Sequence, residues 1–536
     1  MGDSNPYLVG SSRCPIDPSG LPAHVDDGAL RCVSIWAVPR VAARLRRGCG
    51  EVVARSSLLP VMSRITDMPK NNPIRRGALS RALSVSLAGA RAGGVFAIDG
   101  ALKRFRGEAA GDDARLEREA RRFAQQLGTL KGSYVKIGQL FALLGEHFLP
   151  APLTRAFHEL EAETQPLPWT EMAPYLHEAL GTQFDGLDIE PEALAAASLA
   201  QVHRARIKST GHEVVLKAQY PELAAVLDED FNAVVRMLRL ARWIPASRDF
   251  DSWLTTLHEQ LHAEMDYPRE QAMAQAFASA LTHHAHLTET QVALRVPQFW
   301  HAYCGSQVLT LDYIEGHRAG SAAVAALPQD TRNALGRLML QLFFIEVFDL
   351  GLVQTDPNFG NYLISDSGDE LTLLDFGSVM ALDDGVRRAL CDTIVAGLKG
   401  DDGRLIDALT RLGCLPSDAA SHAQQTFKTF VTNLLEPLRS ADQLPVEYLN
   451  SHGEYCWGRS ELINRTGRHV ARSMTSRQFA IPSGDFAMVA RKLTGVFTFI
   501  AVLDAEFNGA EIAAPFIDAY VRNQPSARQK AAGSAL

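Results

Sequence analysis

One stretch of this chain leaves little freedom in what can be built around it. Asp356-Pro357-Asn358-Phe359-Gly360-Asn361 is followed by two short apolar runs and then by Leu374-Asp375-Phe376-Gly377. The runs, Tyr362-Leu363-Ile364 and Leu371-Thr372-Leu373-Leu374, flank Asp366-Ser367-Gly368-Asp369, a strong turn cluster, so they read as a hairpin. Asp356 is placed to take or orient the proton of an attacking hydroxyl or water. Asn361 lies far enough along a short loop to turn back and offer a carbonyl oxygen to Mg²⁺. Asp375, at a separate strand end, supplies a carboxylate to the same site. A hard cation that bridges phosphates suits oxygen ligands of this kind.

Taken singly, each piece is ordinary. Asp-Phe-Gly is a common turn after a buried strand, and Asp-Pro-Asn is normal turn chemistry. The pair in this order, with a strand on each side, is the sequence of parts in a protein-kinase-like catalytic centre.

The whole chain is compatible with that reading. Its 536 residues exceed one ordinary domain, and a hydrophobic content of 46% with 21% charged residues is that of a folded soluble protein. A net charge of −8 argues against nucleic acid as a partner. The seven cysteines (14, 32, 49, 304, 391, 414 and 456) are scattered without a CxxC spacing. That argues against a cysteine zinc site or a disulfide framework and fits a reducing, cytoplasmic compartment. No stretch approaches the roughly 20 uninterrupted apolar residues of a membrane span. Early acids without an apolar core disfavour a secretory signal.

Along the chain, residues 1–75 read as a disordered or weakly helical leader, Arg-rich from Arg40 to Arg76, with contact to an anionic membrane surface as the sharper alternative. Residues 77–100 are small and apolar. Gly89 and Gly93 suit an amphipathic helix at a surface or in a homodimer contact. Residues 113–163 are expected to be helical, with Lys136 and Gln139 on one face and Gly138 marking close packing. Strands are then expected at Phe184–Ile189, Ser198–Ile207 and Glu213–Gln219, forming a small antiparallel sheet. Helices follow at Glu222–Leu240 and Asp251–Leu281, with Pro268 as a kink or helix start. Two more strands are expected at Val292–Trp300 and Ser306–Tyr313. The remainder is mostly helix. The fold class is therefore α+β, a two-lobed protein-kinase-like fold with an N-terminal helical extension. The expected divisions are 1–75 (leader), 76–175 (extension), 176–316 (N-lobe), 317–520 (C-lobe) and 521–536 (tail).

A phosphate site also needs a basic residue on the small sheet. Val214-Val215-Leu216-Lys217 supplies it in the position of the Val-Ala-Ile-Lys strand. One hairpin earlier lies Ala195-Ala196-Ala197-Ser198. Alanines stand there in place of a Gly-rich loop, small enough for backbone N–H groups to approach phosphate but stiffer than glycine. Plain helix is the alternative for such a run. His203 is assigned packing or capping. The acidic segment Glu264-Met265-Asp266-Tyr267-Pro268-Arg269-Glu270 is the candidate region for a helix carboxylate facing Lys217. Thr310-Leu311-Asp312-Tyr313-Ile314-Glu315-Gly316 has the form of the segment between lobes whose backbone binds adenine.

Together these motifs resemble the UbiB/AarF family of atypical protein-kinase-like proteins, over residues 76 to 516. The family's KxGQ motif is Lys136-Ile137-Gly138-Gln139. Its alanine-rich nucleotide loop is residues 195–198, and its ExD motif is Glu264-Met265-Asp266. Glu270 falls as the helix partner of Lys217, and Asp375-Phe376-Gly377 completes the set. Gln354-Thr355-Asp356-Pro357-Asn358 is worded like the coenzyme Q-associated branch. The segment Arg491-Lys492-Leu493-x-Gly495 is similar to the family's terminal region. The resemblance implies an ATP- or ADP-binding, Mg²⁺-dependent protein whose KxGQ helix packs over the usual substrate cleft. It also implies a link to ubiquinone biosynthesis, with prenyl-quinone precursors and quinone-biosynthesis proteins as partners. Two departures matter. The pair of C-terminal apolar spans of one bacterial branch is not found, so peripheral membrane attachment is expected. No Ala-Pro-Glu follows Asp-Phe-Gly, and Gln354-Thr355 replaces His-Arg, so a standard peptide-binding segment is not expected.

The leading expectation is an ATPase or small-molecule phosphotransferase. In it Asp356, Lys217 and Glu270 are catalytic, and Asn361 and Asp375 hold the metal. Ala195–Ser198, Lys217, Asp312 and Tyr313 bind nucleotide. Lys136, Gly138, Gln139, Glu264 and Asp266 restrict what enters. The alternative is a nucleotide-gated lipid- or complex-binding protein with little catalysis. A phosphotransferase of the aminoglycoside type is a third, disfavoured by the KxGQ helix and the alanine loop.

Overall fold

The computed structural model describes residues 117–524, apart from 119, 126–132, 145–150, 159–165, 198, 222, 241–247, 283, 288–289 and 467–483. The expectations for the leader, for the Gly89–Gly93 spacing and for all but the start of the tail lie outside these residues.

Helices α1 (Ser133–Leu144), α2 (Ala151–His158) and α3 (Trp169–Leu180) precede strands β1 (Leu187–Ala196), β2 (Ala200–Ile207) and β3 (Glu213–Gln219). Helices α4 (Leu223–Leu240), α5 (Arg248–Ala263) and α6 (Tyr267–Thr282) follow, then β4 (Ala293–Arg295) and β5 (Val308–Asp312). The antiparallel sheet of this lobe has four strands in the order β1-β2-β3-β5. Strand periodicity sets its two faces. Val214, Leu216 and Ala218 are buried, while Val215 and Lys217 turn to the other side. The buried set shares a core with Tyr134, Ile137, Leu140 and Phe141, which line one face of α1.

Two expected strands are corrected. Phe184 lies in a 3₁₀ turn, Gly181–Gly186, and the strand begins at Leu187 and takes in the alanines. Ala195 pairs with Val202 and Ala196 with Gln201, so cross-strand pairing overrides the helix propensity of alanine. The Val292–Trp300 strand divides: β4 pairs in parallel with a C-lobe strand, and Phe299 makes an isolated antiparallel bridge to Leu311 of β5. Pro297 has no N–H to give a ladder. The long helix expected from Asp251 is broken between α5 and α6. Pro268 sits in the first turn of α6, and Asp266 caps it, accepting from the Arg269 N–H at 3.0 Å.

In the second lobe α7 (Gln329–Phe344) continues as a π-helical turn, Ile345–Leu350, and ends at Gly351 with φ +65°. Strands β6 (Leu352–Gln354), β7 (Tyr362–Ile364), β8 (Glu370–Leu373) and β9 (Val379–Ala381) follow. The expected hairpin is β7–β8, with Tyr362 opposite Leu373. Gly368 turns it at φ +74°, and a side chain there would run into Thr331. β6 pairs with β9, which ties the residues before Asp356 to those after Phe376. Helices α8 (Asp384–Lys399), α9 (Asp402–Arg411), α10 (Ser421–Leu434), α11 (Gly484–Val502) and α12 (Gly509–Asn523) complete the lobe. Its core is centred on α7 and α11, through Leu335, Leu338 and Phe343 against Val489, Val496 and Phe497. The two apolar cores do not divide at the lobe boundary, because Leu309 and Leu311 of β5 pack in the second with the helical lobe. α6 links the lobes: its Phe277 packs in the second core while its first turn faces β3. Among the described residues no helix is long and apolar enough to cross a membrane.

Candidate active site

Lys217 leaves the unburied face of β3 and meets Glu270 from the first turn of α6. Its Nζ donates to Oε1 at 2.8 Å and to Oε2 at 3.0 Å. Asp375 lies on the far side, with Oδ2 at 3.5 Å. Burial works against the Lys217 ammonium, but Asp375 and Glu270 more than offset it and hold its pKa well above the ordinary value. Burial raises Glu270, which is 2% exposed, to about 7 against the pull of Lys217. Asp375 is held below its ordinary range. Burial opposes this, and Lys217 together with the Gly377 N–H outweighs it. That N–H donates to Asp375 Oδ1 at 2.9 Å.

Asp356 sits across the cleft. Its Oδ2 accepts from Asn361 Nδ2 at 2.8 Å, which turns the Asn361 carbonyl oxygen the other way. An Asx turn at Asn358 and the Leu374 N–H, which donates to Asn361 O at 2.9 Å, fix this loop to the end of β8. The segment after Asp375 is fixed too. Phe376 is buried against Phe277 with ring centroids 5.6 Å apart, and Arg269 donates to the carbonyls of Gly377 and Val379 at 3.1 and 2.8 Å.

Several positioning residues come from far along the chain. Arg491 of α11 donates to Asp356 Oδ1 at 3.1 Å. Its neighbour Lys492 is fully buried beneath the loop, with Glu346 Oε1 at 3.1 Å, Gln354 Oε1 at 3.3 Å and the Tyr362 hydroxyl at 3.5 Å. Gln354 in turn donates to the backbone carbonyl of Asp356 at 2.9 Å. Thr355 donates through its hydroxyl to Ser378 O at 2.8 Å. Gly495, one turn beyond Arg491, lets α11 press on the loop: a Cβ there would lie 2.0 Å from Pro357 Cβ. Glu346 and Arg269 were not singled out from sequence, and the Arg491-Lys492 pair was noted only for its resemblance. For Glu346 and Lys492 the available signal is a charge inside an apolar run; Arg269, in the acidic segment, carries no such signal.

The remaining expected residues fall into two groups. Lys136 projects from α1 toward the acids. Its Nζ is 2.5 Å from Glu264 Oε2. Burial opposes its charge, but Glu264, Asp356 and Asp375 raise its pKa above the ordinary value. Gly138 is buried in the same helix; the side chain of Gln139 and residue Ser198 lie outside what is described. Asp266 is spent on capping α6. Ala195, Ala196 and Ala197 form the end of β1 and a tight turn into β2, with the Ala197 N–H donating to Ala200 O at 2.8 Å. His203 is buried, bonded to Gln201 at 2.8 Å and to Glu190 O at 2.8 Å, as packing requires. Asp312 is engaged within the lobe: its carboxylate accepts from Trp300 Nε1 at 3.0 Å and contacts His212 at 3.0 Å. Tyr313 follows, with the Arg204 guanidinium 4.1 Å over its ring.

An oxygen-rich cluster results, with cations from both lobes and from the extension at its edge. Asp375 and the Asn361 carbonyl form a hard donor set that fits Mg²⁺ with phosphates. Lys217, 3.5 Å from Asp375, is a basic residue at the edge of that donor set. A small antiparallel sheet lobe over a helical lobe, with these residues in the cleft, defines a protein-kinase-like protein. Residues 159–409 match the ABC1 atypical kinase-like domain. The chain is 25% identical over 442 residues to Atypical kinase COQ8, mitochondrial, of Schizosaccharomyces pombe, covering 81% of this chain and 67% of the relative. It is 28% identical over 408 residues to Atypical kinase COQ8B, mitochondrial, of Rattus norvegicus, covering 76% and 72%. Rv3197 of Mycobacterium tuberculosis, solved in complex with erythromycin, shares the fold at a TM-score of 0.51 and 22% identity, over 74% of this chain and 95% of that one. These matches agree with the resemblance of the sequence motifs to the UbiB/AarF family of atypical kinase-like proteins.

Proposed function

We propose that this protein binds ATP or ADP with Mg²⁺ and acts as an ATPase or small-molecule phosphotransferase that supports the synthesis of ubiquinone or a related prenyl-quinone. The observation that carries the reading is the bridge from Lys217 to Glu270 and Asp375, opposite the Asp356–Asn361 pair. Lys217, kept charged and aimed by Glu270, holds the α/β-phosphates. Asp375 and Asn361 hold Mg²⁺, which supplies charge neutralisation when bound. Asp356 orients the attacking hydroxyl or water and accepts its proton. Ala195–Ala197 and Ser198 cover the phosphates, and the backbone at Asp312–Tyr313 borders the adenine. Most of the rate would come from positioning and charge. Lys136, Gly138, Gln139 and Glu264 limit what reaches the site. The surroundings proposed are the cytoplasmic side of a membrane, with peripheral attachment to anionic lipid and contact with quinone-biosynthesis proteins.

The test is thermal stability with millimolar ATP or ADP, with and without Mg²⁺. A nucleotide- and Mg²⁺-dependent rise is expected in the native protein and its loss in Lys217→Ala. No rise in the native protein would sink the reading. Profiling quinones and their precursors after gene deletion tests the pathway; unchanged pools remove it.

The Lys136–Glu264 contact at the cleft favours one second reading, nucleotide-gated binding of a lipid or protein complex with little turnover. Cellular rescue by Asp356→Asn, together with failure of Lys217→Ala, would select it.

A further inference from the structure

We propose that Asp228, His258 and His262 form a binding site for a divalent transition-metal ion, with zinc as the reference ion, which clips α4 to α5 away from the cleft. His258 and His262 are four residues apart on α5 and so lie one above the other on one face. Their rings are 4.5 Å apart, centroid to centroid. Both Nε2 atoms converge on the same oxygen of Asp228 from α4, at 2.8 and 2.7 Å from Oδ1. All three donor atoms lie within 4.8 Å of one another.

Helix packing does not call for this convergence. The apolar stripe that seats α5 is Phe250, Leu254, Leu257 and Leu261, and that of α4 is Leu227, Phe231, Val234 and Leu238. The three polar residues sit just outside those stripes, at the rim where the helices meet. They are open to solvent, with side-chain exposures of 59% for Asp228, 35% for His258 and 45% for His262. An ion can therefore reach them without opening the core.

The donor set is two imidazoles and one carboxylate. It suits zinc and its neighbours in the first transition row and does not suit Mg²⁺ or Ca²⁺, which take oxygen ligands. Zinc bonds of about 2.0–2.1 Å in a tetrahedron put the donors about 3.3 Å apart. The present contacts need to open by roughly half an ångström, which exposed side chains can do by small rotations. Each imidazole binds as the neutral ring through Nε2, with its proton on Nδ1, and water takes the open position. No cysteine takes part.

The clip also has a neighbour of interest. The His258 ring lies 5.1 Å from Phe231, and Phe231 stacks 6.1 Å from Phe141 of α1, the helix that carries Lys136. An occupied site stiffens the bed on which that helix rests.

The experiment is a titration of the full-length, chelator-treated protein with Zn²⁺ and, separately, Co²⁺, read by calorimetry, by visible absorption and by melting temperature. The native protein is expected to bind one equivalent more than His258→Gln/His262→Gln. The extra Co²⁺ should show the weak bands of nitrogen–oxygen ligation, without thiolate charge transfer. Loss of a single histidine should weaken that equivalent by at least about 10–100-fold. Zinc should raise the melting temperature of the native protein only, and Mg²⁺ should not compete. Asp228→Asn keeps the size of the side chain and loses the anionic ligand, so it decides the matter should the double variant not fold. Equal zinc stoichiometry and affinity in native and variant proteins, or a thiolate spectrum for the extra equivalent, overturns the proposal.

Discussion

Gly495→Ala tests whether α11 holds the Asp356 loop in place. The added Cβ would sit 2.0 Å from Pro357 Cβ, 3.0 Å from its Cγ and 3.3 Å from its Cα. Carbon atoms at rest are about 3.5–4.0 Å apart, so loop or helix must retreat by roughly 1.5 Å. Overpacking of this kind costs about 1–3 kcal/mol, and the overlap here is deep. Replacing glycine by alanine inside a helix returns about 1 kcal/mol. The net expectation is a loss of about 1–2 kcal/mol. Gly484 is the internal control. It begins the same helix, and a Cβ there would meet nothing within 4 Å. Gly484→Ala should therefore be neutral or slightly stabilising. Function should respond more sharply than stability. Asp356, the proposed catalytic group, adjoins Pro357, and a displacement on the order of 1 Å at such a group lowers turnover about 100-fold. Nucleotide affinity should change little, because Lys217, Glu270 and Asp375 stand on other elements. The assays are chemical denaturation, nucleotide-dependent thermal stability and ATP turnover, run on both variants. Equal stability and equal turnover for the two glycine variants would refute the reasoning.

Three further outcomes follow from the same geometry. Glu270 has a folded pKa of about 7 against 4.5 for the free group, so its contribution to stability is complete below about pH 4.5 and is lost as pH rises toward 7. The difference in unfolding free energy between native protein and Glu270→Gln should accordingly change by on the order of 3 kcal/mol across that window and be flat above it. Lys492→Met leaves Glu346 buried without its cation and should cost about 3–5 kcal/mol in urea unfolding, whereas Glu346→Gln/Lys492→Met should lose clearly less; a double variant as damaged as the single would contradict the pairing. Asn361→Ala removes both the hold on Asp356 and the proposed cation ligand, so the nucleotide-induced rise in melting temperature should require more Mg²⁺, and an unchanged Mg²⁺ requirement would count against Asn361 as a ligand.

What the sequence makes legible here depends on how far apart the partners are. Asp356, Asn361 and Asp375 lie within one loop and one hairpin, so order and spacing alone suggest a common site. Lys217 is readable because alternation along a seven-residue strand forces it to the face opposite Val214 and Leu216. Glu270 came from resemblance, since nothing local tells which of three nearby acids meets a lysine on another element. The structure separates them: Glu264 faces Lys136, Asp266 caps α6 and Glu270 faces Lys217. The alanine run was open between loop and helix because its propensity favours helix, while pairing with Val202 and Gln201 makes it strand. Pro297 stands between β4 and the bridge at Phe299, where composition predicts one strand. Glu346 and Lys492, 146 positions apart, each stand as a charge in an apolar run, and only folding shows that they neutralise each other.

That buried pair also accounts for the unusual wording before Asp356. Gln354 and Thr355 stand where His-Arg is expected, and neither carries a charge. The loop nonetheless needs its carbonyls and its carboxylate held. Gln354 ties the Asp356 carbonyl to Lys492, and Thr355 ties the loop to Ser378 beyond Asp-Phe-Gly. The positive charge at the Asp356 carboxylate is supplied instead by Arg491, from the next position on α11. A carboxylate offers about four acceptor positions, so Arg491 and Asn361 leave room for a proton or a hydroxyl. One helix therefore bears on the backbone, the side chain and the packing of the loop, through Lys492, Arg491 and Gly495 in turn. A shift of α11 would move all three together, and the loop cannot be reorganised through Gln354 alone.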